Sequence, residues 1–74
     1  MIPEHLKAAL DRYVNHKIRP GSFLEAVLSN DLFDAIGRAD NVSRACLFDI
    51  CKYVYNELPG DCWGSREIVE RWLK

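Results

Sequence analysis

Two short loops carry residue types that suit an anion. Arg19-Pro20-Gly21-Ser22 and Trp63-Gly64-Ser65-Arg66 each run Gly-Ser into an expected helix start. A helix N-terminus presents unpaired N–H groups and a partial positive charge, and glycine lets a ligand approach the backbone closely. Arg19 and Arg66 would each bring a guanidinium to a phosphate, and Trp63 a ring that can stack on a base. The same pattern is ordinary capping chemistry, and Glu25 opposes an anion at the first loop.

Other chemistry is poorly supported. Cys46, Cys51 and Cys62 lack the paired spacing of zinc ligands, and their odd number argues against a disulfide framework. Five residues of helix turn Cys46 and Cys51 away from one another. Three reduced, partly buried thiols in a reducing cytoplasm are the expectation. His5 and His16 share a helix face but lie about 16 Å apart, too far for one ion. No cysteine or serine stands in a nucleophile signature, and Asp31 and Asp34, an i, i+3 pair, suit a solvated acidic patch better than acid–base catalysis. The reading is of a non-enzyme with no metal and no cofactor.

Size and composition set the frame. A chain of 74 residues, 49% hydrophobic and 28% charged, reads as one globular domain spanning 1–74. So short a chain buries only about 60% of its unfolded surface, and without disulfides or metal it is expected to self-associate. The formal net charge of −1 gives no footprint for nucleic acid. The basic side chains Lys7, Arg12, Lys17 and Arg19 outnumber Glu4 and Asp11 up to residue 22, and acids prevail thereafter. No apolar run approaches the roughly 20 residues of a membrane span, and Met1-Ile2-Pro3-Glu4 does not resemble a signal peptide.

The elements that would position the loops are helical. Leu6, Ala9, Leu10, Tyr13 and Val14 mark a first helix over about 3–16, with Pro3 and Glu4 in its first turn. Ser22-Phe23-Leu24-Glu25 is a capping box that opens a second, whose apolar stripe runs through Val27, Leu28, Leu32, Phe33 and Ile36 to Gly37. Ser29-Asn30-Asp31 either forms its polar face or caps a separate helix. Asp40 or Asn41 caps a third helix, apolar almost all round from Ala45 to Leu58, which Pro59-Gly60 ends. Ser65 caps a fourth, with Ile68, Val69, Trp72 and Leu73 inward. Trp72 reads as core, and Trp63 as closing the core or joining a binding surface. The expected fold is all-α, a compact array of four helices, or five if the second breaks.

A helix-turn-helix would use the turn at Gly37 and place Asn41, Ser43 and Arg44 at the reading helix. Arg44 and Lys52 are balanced by Asp49 and Glu57, so a small DNA-binding regulator ranks below other readings.

The segments Pro20-Gly21-Ser22-Phe23-Leu24-Glu25-Ala26-Val27-Leu28-Ser29-Asn30-Asp31-Leu32 and Tyr55-Asn56-Glu57-Leu58-Pro59-Gly60-Asp61-Cys62-Trp63-Gly64-Ser65 resemble a family of short phage and prophage proteins with the pattern PGSFLxAVLxNDL followed by YNExPxxxWGS. The resemblance spans Ile2 to Leu73 and implies a viral accessory protein acting in the host cytoplasm. It suggests an anti-defence role, either sequestering a host nucleotide signal or blocking a host defence protein. For a nucleotide, the ligand-binding set would be Arg19, Gly21, Ser22, Asn30, Asp31, Trp63, Gly64, Ser65 and Arg66, with Asn30 and Asp31 on ribose or base edges and the pocket near a homo-oligomer interface. For a protein inhibitor, Asp31, Asp34 and Tyr53 would line the exposed face.

Overall fold

Glu4–His16 forms α1 in the structure, a computed structural model that describes residues 2–74. Pro3 is its N-cap, and Leu6, Ala9, Leu10 and Tyr13 bury one face at spacings of three and four. The helix ends at Lys17, which takes the left-handed conformation (φ 55°) uncommon for a residue with a side chain. Two contacts hold it there. The Lys17 ammonium donates to the Trp72 carbonyl at 3.0 Å and lies 3.9 Å from the centre of the Trp72 ring.

The chain then forms α2 (Ser22–Leu28), α3 (Leu32–Arg38), α4 (Asn41–Ala45), α5 (Leu47–Glu57), a 3-10 turn (Gly60–Cys62) and α6 (Arg66–Leu73). The all-α expectation holds, and no strand occurs among the described residues. The helix number needs correction: six short α-helices replace the four or five expected.

Two local causes account for the difference. After Leu28 the chain turns at Asn30 (φ 61°), whose N–H reaches Val27 O at 3.0 Å while Asp31 N–H reaches Ala26 O at 2.9 Å. This paired closure ends a helix with a left-handed residue, and asparagine tolerates that conformation. Asp31 then caps α3 by accepting from Asp34 N–H. The second break is at Cys46. Its thiol donates to Val42 O at 3.2 Å, the carbonyl its own N–H would use in a continuous helix, and that N–H bonds Ser43 O instead. The single long helix expected over 41–58 is therefore two.

The caps at Asp40 and Ser65 form as read, accepting from Ser43 N–H and Ile68 N–H. The capping box at Ser22 does not. Gly21 (φ 99°) is the N-cap of α2, no side chain caps it, and the Glu25 carboxylate is held by Arg19.

One core cluster joins α1, α2, α5, α6 and the 3-10 turn: Leu6, Leu10, Tyr13, Leu24, Leu28, Ile50, Val54, Cys62 and Val69 are its larger members. Each fully buried leucine or isoleucine contributes about 1.5–3 kcal/mol. Helices α3 and α4 supply nothing to this cluster. Their inward positions are the small Ala35 and Ser43, while Leu32, Phe33, Ile36 and Val42 are exposed. No helix among the described residues is long and apolar enough to cross a membrane.

Candidate functional site

Five of the nine residues singled out in the sequence line two neighbouring depressions. Ser22, Asp31 and Arg66 line a polar cleft of about 480 Å³ with Glu25, Asp34 and Arg38. Asn30 and Trp63 line a groove of about 400 Å³ along α5. Gly64 and Ser65 connect the two, Gly21 caps α2, and Arg19 reaches the cleft through Glu25.

In the polar cleft, charge is matched internally. Arg66 donates to Asp31 at 2.9 Å and to Asp34 at 3.0 Å, and Arg38 bonds both oxygens of Asp34. Arg19 donates to Glu25 at 2.8 Å and makes a two-bond fork to Glu70. The hydrogen bond from Arg66 holds the Asp31 carboxyl below the usual carboxylate range, and that from Arg19 does the same for Glu70. At the start of α6 the Ser65 hydroxyl already accepts one of the unpaired N–H groups. A phosphate would compete with two carboxylates at either guanidinium. These arginines act as clamps: Arg19 joins α2 to α6, and Arg66 joins α6 to the start of α3.

The α5 groove differs. Phe48, Cys51 and Tyr55, at positions i, i+3 and i+7, form one wall, with Val27, Val54 and Trp63 beside them. Phe48 is 77% exposed and Tyr55 72%. Lys52 is the one charged lining residue, and Asn30 and Asn56 add amides. The Tyr55 and Trp63 rings lie 5.9 Å apart, tilted by 60°, a favourable aromatic pairing.

Trp63 is held from both sides. On one side Tyr13 donates its phenol to Cys62 O at 2.7 Å, deep in the core. On the other, Gly64 N–H donates to Leu28 O at 2.7 Å. The groove's aromatic base is thus tied to α1 and to the end of α2. The Trp63 indole N–H is buried and has no acceptor among the described residues. Such a group carries a desolvation cost.

The sequence does not mark Phe48, Cys51 and Tyr55 as a binding surface. Their spacing was visible there, but on a helix apolar almost all round it does not separate core from surface. Tyr53 is half-buried against the core and faces a third cleft, of about 620 Å³, between α5 and the start of α1. Burial pushes the Cys51 and Cys62 thiols above their ordinary pKa, which keeps them protonated and poorly nucleophilic. No group of three or more metal-binding side chains occurs among the described residues. Compared with protein families, characterised proteins and solved structures, the chain has no match.

Proposed function

We propose that this protein is a non-enzymatic binding module that docks on a partner protein through the aromatic groove along α5. The observation that carries the reading is the exposure of Phe48 and Tyr55 beside Trp63, whose two chain neighbours are hydrogen-bonded to α1 and α2. Large aromatic side chains on a rigid base are the usual anchors of protein interfaces, because little conformational freedom is lost when they are covered. The groove is apolar with a single cation on its lining, Lys52. It suits an apolar segment of a partner that carries a carboxylate at its edge. The resemblance to short phage proteins points to a host defence protein as that partner.

Sequestration of a phosphate-containing nucleotide is less well supported, because both arginines on which it depends are engaged by carboxylates.

The test is native mass spectrometry of the tagged protein recovered from infected cells, followed by titration of the recovered species with purified components. The expected result is one stoichiometric protein that rebinds the wild-type chain and fails to rebind Phe48→Asp. Recovery of a small phosphate-containing mass, lost in Arg66→Ala, would replace this reading with sequestration. A recovered protein that binds Phe48→Asp as tightly as wild type would remove the groove from the interface.

A further inference from the structure

Residues 31–45 lie between two breaks in the helical chain. At one end Asn30 turns the backbone into the left-handed region. At the other the Cys46 N–H leaves the α-helical register and bonds Ser43 O. Between the breaks the segment is tied to itself. Arg38 bonds Asp34, and the Asp40 carboxylate caps α4 by accepting from Ser43 N–H. The Arg44 guanidinium donates to Ala39 O at 3.4 Å, which joins α4 to the end of α3.

To the rest of the molecule the segment is weakly joined. Its buried side chains are the small Ala35, Ala39 and Ser43, and none belongs to the core cluster. Burial stabilises roughly in proportion to the apolar area covered, so these three hold the segment less firmly than the core leucines hold α1. Open clefts border both of its helices. The polar cleft runs beside α3, and another of about 450 Å³ is lined by Val42, Ala45 and Cys46 together with Pro3 and Asp49. Among the described residues, the side-chain hydrogen bonds that tie the segment to an element beyond the two breaks both come from Arg66, to Asp31 and Asp34.

We infer that residues 31–45 are a hinged flap, with Asn30 and Cys46 as its hinges and Arg66 as the latch that holds it shut. Hinges of this kind are single residues at element ends that absorb a change in backbone angles. Opening lifts α3 from α2 and α4 from α5, the helices on which they rest. It parts Arg66 from both carboxylates and leaves that guanidinium free at the first residue of α6. The latch lies in solvent, with the Arg66 side chain 57% exposed, so salt screens it and favours the open state. Opening needs nothing bound in the α5 groove.

Cys46 supplies the probe. Its thiol is buried against the Val42 and Ser43 carbonyls of α4 and is uncovered when the flap lifts, whereas Cys62 is fully buried in the core. The probe lies behind α4 and the latch grips α3, so a response of one to the other requires the flap to move as a unit. The experiment is pulsed labelling of the native full chain with N-ethylmaleimide. Fragmentation mass spectrometry follows each thiol, and each rate is referred to that of the same thiol in the urea-unfolded chain. In the wild type Cys46 is expected to react about tenfold or more faster than Cys62. Arg66→Ala should speed Cys46 by about two- to fivefold, the range of an exposed ion pair, and leave Cys62 unchanged. Sodium chloride should speed Cys46 in the wild type and act less in Arg66→Ala. A Cys46 that reacts no faster than Cys62 overturns the flap, and a Cys46 rate unaltered by Arg66→Ala overturns the latch. If Arg66→Ala speeds both thiols, the wild type decides: a Cys46 rate that ignores salt overturns the latch.

Discussion

Gly64 donates its backbone N–H to the Leu28 carbonyl at 2.7 Å, so the tryptophan loop hangs from the last residue of α2. This bond depends on a backbone that only glycine adopts without strain. Gly64 sits at φ 132°, and a Cβ there would stand 3.3 Å from Ile68 Cδ1. Gly64→Ala is therefore expected to lower stability by about 1–3 kcal/mol. Gly37→Ala, in α3 with open space around the added Cβ, is expected to raise it by up to about 1 kcal/mol. Urea unfolding of both variants checks the opposite signs.

Tyr13→Phe removes the buried donor to Cys62 O and leaves that carbonyl unpaired. The expected loss is about 1–3 kcal/mol. Burial raises the Tyr13 phenol above the ordinary tyrosine pKa, so the group stays a neutral donor across the usable pH range. A unchanged urea midpoint would show that the 60–65 connector does not depend on this bond.

Acid should weaken the fold. Asp31, Asp40 and Glu70 are held below their ordinary pKa, Asp31 and Glu70 first by bonds from Arg66 and Arg19, and Asp40 by the backbone N–H of Ser43. A carboxyl depressed in the folded state adds stability above its unfolded pKa, about 4, and loses that contribution as pH falls through the folded value. The thermal midpoint is expected to fall below about pH 4. All three groups are at the surface, so the contribution is also screened by salt. Arg66→Ala should flatten the acid limb of the profile, and an identical profile in that variant would count against the clamp.

Phe48→Asp is expected to change stability by no more than about 0.5 kcal/mol, because its side chain is mostly in solvent, and Tyr55→Ala to cost up to about 1.5 kcal/mol through loss of the ring pair with Trp63. Leu10→Ala, at a fully buried core position, is expected to cost about 2–5 kcal/mol. Chemical denaturation of the three variants separates a surface kept for binding from one needed for folding.

Much of this fold is legible residue by residue. Pro3 and the Leu6–Tyr13 spacing place α1, and Asp40 and Ser65 cap the helices they precede. The sequence left the break near Asn30 open, because Ser29-Asn30-Asp31 serves equally as a polar face or as a stop and a cap. The break at Cys46 was not legible. It shows in the Cys46 N–H bonding Ser43 O rather than Val42 O, with the thiol on Val42 O beside it, and no periodicity reports that. Ser22 misled for a similar reason: its capping partner Glu25 is drawn off by Arg19, six residues back in sequence and oriented by Glu70 from the far end of the chain. At the site, the Gly-Ser loops, their arginines and the opposing Glu25 were visible, but Asp31, Asp34 and Glu70 lie 35, 32 and 51 residues from the arginines they neutralise. The groove escaped notice because the polar stripe of α5 is too narrow to show which apolar side chains meet solvent.

The absence of α3 and α4 from the core cluster is expected to divide the molecule by timescale, which hydrogen exchange would read. Amides of α1, α5 and α6 should exchange hydrogen only when the whole core opens. Those of α3 and α4, anchored by small residues and carboxylate caps, can open on a faster clock of their own while the rest stays folded. The segment between Asn30 and Cys46 is then a part that can rearrange against a neighbour within the lifetime of a single folded molecule.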